Sequence, residues 1–183
     1  DTALNPWPLS TSQMERILQQ DCFDLEQKST NTDQSFESIE LHIRRILEKD
    51  PELPAAYFLR YLNCLRNGER VGAIDALHQY FDHAMIRQSS PKDILQFSAI
   101  LLAITHSSFG DKGLALMATE EAVRVAQLSK DAACVAFALG WLFENNGHGT
   151  AERRELLKRC ASRAGQGQLR TLVAGANLAL AKH

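Results

Sequence analysis

The sequence has no C-x-x-C pair, no segment of strict apolar–polar alternation and no concentrated run of basic residues. Its longest apolar stretches fall well short of the roughly 20 consecutive residues that a membrane-spanning helix needs. Each shortage excludes something. Cys22, Cys64, Cys134 and Cys160 stand too far apart for a spaced zinc site or a dense disulfide framework, so free thiols in a reducing, intracellular compartment are expected. Cys64 and Cys134 lie in apolar helical runs, where a thiol acts as a small hydrophobe. A formal charge of −2 argues against a nucleic-acid-binding face. The first residue is Asp1, with no initiator methionine and no basic-apolar leader, so a piece of a longer polypeptide is expected.

What is present is helical periodicity with a 45% apolar content, enough to build a core. Met14, Ile17, Leu18, Cys22 and Leu25 mark one face of a first helix, capped at Ser10 with Gln13 or at Ser12 with Glu15. Phe36, Ile39, Ile43, Ile46 and Leu47 form a second stripe that stops at Asp50-Pro51, because proline pushes its predecessor out of the α region. A third helix carries Phe58, Tyr61, Leu62 and Leu65 and ends at Asn67-Gly68, and a fourth runs through Ile74, Leu77, Phe81, Ala84 and Met85. Ser90-Pro91-Lys92-Asp93 opens a fifth, with serine as cap and proline at the first helical position. Leu114–Leu128, Ala132–Phe143, Thr150–Ala164 and Leu169–Ala181 complete the set, with Gly165-Gln166-Gly167 read as an interhelical turn.

Short linkers between helices imply antiparallel hairpins, so the expected fold is all-α, an α-solenoid of about nine helices. The expected organisation is a single helical-repeat segment over 1–183. Within it, 1–9 is an extended lead-in, 10–50 a first hairpin of two antiparallel helices, 52–88 a second, 91–129 the clearest repeat, 131–165 a further hairpin, and 167–183 the first helix of an interrupted repeat. In residues 96–129, Leu102-Ala103, Gly110, Ala115 and Ala122 resemble the spacing of a tetratricopeptide repeat: a large-small pair, a glycine at the turn, and two small residues that let helices approach closely. Thr119 and Gln127 depart from that pattern, where an aromatic and a proline are usual. Tyr61, Gly68, Ala73 and Tyr80 follow the same spacing with bulkier residues at two small positions.

A narrower resemblance rests on Asp50 to Arg66, above all Tyr61-Leu62-Asn63-Cys64-Leu65-Arg66, with Leu77-His78-Gln79-Tyr80-Phe81-Asp82 after it. These segments resemble the subunit 5 family of the anaphase-promoting complex. Pro8-Leu9-Ser10, Ala115 to Gln127 and Gly140-Trp141-Leu142 lie where that family has similar runs. The resemblance implies a non-catalytic platform subunit of a large cell-cycle ubiquitin ligase, located in nucleus and cytoplasm. Its implied partners are the other subunits of that complex, especially large platform subunits, and not nucleic acid, membrane or a small-molecule substrate. The alternative is a tetratricopeptide-like array that senses a ligand or peptide in a signalling or transcription regulator.

Residues that could carry chemistry are scattered. His78 and His83 are five apart, and His42, His106, His148 and His183 are isolated, so no i, i+4 metal pair exists. Neither Cys64 nor Ser107 sits on a nucleophile elbow, so no catalytic residue, cofactor or metal is expected. Phe97, Ile100 and Ile104 occupy positions where a clamp for a peptide carboxylate would need Lys and Asn. The candidate partner-binding residues are therefore of other kinds. Arg153, Arg154, Lys158, Arg159 and Arg163 crowd the eighth helix, either as a solvated face with pairs such as Glu155–Arg159 or as a dock for an acidic segment. Leu172 and Val173 lie on the apolar stripe of the ninth helix, and Trp7 between two prolines is a plug or an anchor.

Overall fold

A computed structural model describes residues 10–27, 35–87, 91–145 and 150–182. These residues form helices and no strands, in two compact units, Asp1–Gln88 and Ser89–His183. The all-α class of stacked helix hairpins follows the periodicity.

The first unit contains α1 (Thr11–Gln27), α2 (Phe36–Leu47), α3 (Pro54–Asn67) and α4 (Arg70–Arg87). Of the two possible caps, Ser10 and Gln13 make the reciprocal pair. The Ser10 N–H donates to Gln13 Oε1 at 2.9 Å, and the Gln13 N–H donates to Ser10 Oγ at 3.3 Å. Ser35 caps α2 by accepting from the Ser38 N–H. Met14, Leu18 and Leu25 from α1 meet Ile39, Ile43 and Ile46 from α2 over Leu53, Ala56 and Leu59 of the α3 segment. Both α1 and α2 pack chiefly against α3 rather than as a pair of their own. The third helix is thus the axis of this unit, a role that period alone does not reveal.

The linker between α2 and α3 is tied to α4 from several sides. Arg87 donates to both carboxylate oxygens of Asp50 at 2.7 and 2.8 Å. The Tyr57 hydroxyl donates to the Pro51 carbonyl at 2.7 Å, and the Tyr57 ring stacks on His83 with centroids 4.7 Å apart. Gly68 takes the left-handed conformation at φ 74°, closing α3 so that α4 returns along it. Ala73 and Ala76 of α4 are fully buried, which permits the close approach expected of a hairpin.

The second unit contains α5 (Pro91–Ser108), α6 (Lys112–Leu128), α7 (Ala132–Asn145), α8 (Thr150–Gln166) and α9 (Arg170–Lys182), each packed on the next. Ala103, Ala115 and Ala122, three of the small positions of the clearest repeat, are all buried, and Gly110 turns at φ 82°. Thr119, where that repeat pattern has an aromatic, is buried and donates its hydroxyl to the Ala115 carbonyl at 2.7 Å, so it costs no orphaned polar group. Cys134, Val135, Ala138, Leu139 and Leu142 of α7 form the centre of this core, with Leu157 and Cys160 of α8 and Ala176 of α9 against them. The turn between α8 and α9 falls one residue later than Gly165-Gln166-Gly167 suggests. Helix α8 runs through Gln166, and the reversal uses Gly167 and Gln168, the latter at φ 57°. Gly167 sits at a close approach: a Cβ there would lie 3.2 Å from the Ala133 backbone nitrogen.

Candidate interaction site

The basic residues of α8 do not act as one patch, because helix geometry turns them to different sides. Leu157, Cys160 and Ala164 face the core, and Arg153 lies on that same side one turn earlier. Its guanidinium carbon stands 4.6 Å over the Phe143 ring, and its Nε is buried with no hydrogen-bond partner. Arg154, Lys158, Arg159 and Arg163 are exposed, and Arg163 donates to Gln166 at 3.1 Å. The Glu155–Arg159 pair considered from the sequence is not formed. At four residues' separation an exposed pair gains only about 0.3–0.5 kcal/mol, too little to hold two long side chains together.

The apolar stripe of α9 is used inward. Ala176 is buried, Leu172 and Leu180 pack against the core of the second unit, and Val173 is half-buried. Leu178, on the other side, is exposed. Trp7 lies outside the described residues. The positions compared with a carboxylate clamp also divide: Phe97 is exposed, whereas Ile100 belongs to the core and Ile104 packs on it.

One of the sequence candidates, Leu172, lines a feature that sequence reasoning missed. Between α7 and α9 runs an apolar groove of about 410 Å³, lined by Phe137, Gly140 and Phe143 on one side and Leu172, Gly175 and Ala179 on the other. Leu157 and Cys160 of α8 contribute to its lining, and Glu144 stands at the Phe143 end. Leu172 is a wall of this groove, whereas Arg153, over the Phe143 ring, is not among its lining residues. Glycines at 140 and 175 on neighbouring helices were the only signal available beforehand, because each leaves room where a side chain would stand.

The remaining titratable groups are structural. Burial pushes the Cys64 thiol up to about 11, with Glu40 adding to the rise, and pushes Cys134 up to about 12, helped by Asp131. Cys160 is raised by burial as well. These are thiols held protonated, the reverse of an activated nucleophile. His42 approaches Asp21 at 3.4 Å beside a small cavity between α1 and α2, and His106 lies 3.9 Å from Asp111. Among the described residues no group of three His, Cys, Asp or Glu side chains could hold a metal ion, and no helix is long and apolar enough to cross a membrane.

Comparison with known proteins bears on the segment from α3 to α7. Residues 57–147 match the family model described as anaphase-promoting complex subunit 5. Proteins named anaphase-promoting complex subunit 5 are 32% identical over 143 residues in Gallus gallus and 31% over 144 in Homo sapiens. The chain belongs to the anaphase-promoting complex subunit 5 family. Each of those alignments covers 74% of this chain and 19% of the relative. The Schizosaccharomyces pombe relative is 34% identical over 96 residues, covering 52% of this chain and 13% of its own. The chain therefore spans about a fifth of the length of the relatives it matches in Gallus gallus and Homo sapiens. In the run whose resemblance was read from the sequence, Tyr61, Asn63 and Cys64 are buried.

Proposed function

We propose that this chain is a helical-repeat scaffold within a subunit of the anaphase-promoting complex, holding other subunits of that ubiquitin ligase and doing no chemistry of its own. The observation that carries the reading is the family match over residues 57–147, from α3 to α7, where Tyr61, Asn63 and Cys64 are buried. A hairpin array suits such work because each hairpin rests on the next and leaves long helix faces for partners. Thiols pushed upward by burial fit the same reading, since they favour packing over reactivity. The partners proposed are the large platform subunits, and the place of action is nucleus and cytoplasm.

Affinity purification of the tagged parent protein from dividing cells tests this. Co-recovery of the ubiquitin-ligase subunits together is the expected result. Recovery with unrelated factors alone, or ubiquitin conjugation by the purified chain without other subunits, would overturn it.

A further inference from the structure

We draw no further inference here: the strongest candidate, the apolar groove between α7 and α9 lined by Phe137, Phe143 and Leu172, is an unpartnered face, and nothing in the structure shows what covers it.

Discussion

Asn63, with no exposed surface, donates from Nδ2 to the backbone carbonyl of Phe36 at 3.2 Å. This joins the middle of α3 to the first residue of α2, across 27 positions of sequence. The Asn67 side chain donates to Asn63 Oδ1 at 3.3 Å, so both ends of the buried amide are engaged. A buried polar residue in the middle of α3 is thereby explained as a fastener between helices.

Asn63→Leu is expected to destabilise the first unit by about 1–3 kcal/mol, because the part-buried Phe36 carbonyl loses its side-chain donor and the Asn67 amide loses its Oδ1 acceptor. Urea denaturation of the variant against the parent chain measures this. A change under 0.5 kcal/mol, the usual range of surface substitutions, would remove the fastener interpretation.

Gly68→Ala tests the turn between α3 and α4. Space is not the constraint, since a Cβ at Gly68 would meet nothing within 4 Å, but φ is 74°. The expected loss is about 1–2 kcal/mol, from the backbone conformation alone. Gly175→Ala, in helical backbone with equally open surroundings, is expected to move the other way, and thermal melts of the two variants show the contrast.

The buried thiols give a pH dependence of definite sign. Cys64 and Cys134 are raised from 9.0 to about 11 and about 12, so the fold holds them neutral after the unfolded chain would ionise them. Their stabilising contribution is complete below the unfolded value near 9.0 and is lost as pH rises toward the folded values. Stability is expected to fall from pH 9 upward, and a Cys64→Ala, Cys134→Ala chain is expected to show a shallower fall. Thiol labelling at neutral pH supplies an independent check. Half-buried Cys22 is expected to react first, while Cys64, Cys134 and Cys160 wait for unfolding.

On α9, Leu172→Ala is expected to cost about 1–2 kcal/mol, less than the roughly 2–5 kcal/mol of a fully enclosed leucine, because Leu172 is only half-buried against the core. Leu178→Ser, at 62% exposure, is expected to change stability by less than about 0.5 kcal/mol. Equal losses at both sites in denaturation would place the apolar stripe differently from Leu172, Ala176 and Leu180.

Helix positions were legible because the signals for them are local. The Phe36–Leu47 stripe, the proline stop after Asp50 and the glycine stop at 68 act through neighbouring residues, and each helix bound lies within a few residues of its signal. The tetratricopeptide spacing of Ala103, Gly110, Ala115 and Ala122 was equally readable, since close helix approach demands small side chains at fixed intervals. The choice between Ser10 and Ser12 as cap was not, because both have a suitable partner three residues on.

The sequence by itself determined the all-helical class, most turn residues and the family. Those follow from periodicity, backbone preference and composition. Tertiary structure alone decided that α1 and α2 both lean on α3, that Asn63 reaches Phe36, and that Arg153 leaves the α8 cations to lie over Phe143. Each depends on distance between residues far apart along the chain, or on which side of a helix meets a neighbour, and a one-dimensional pattern carries neither.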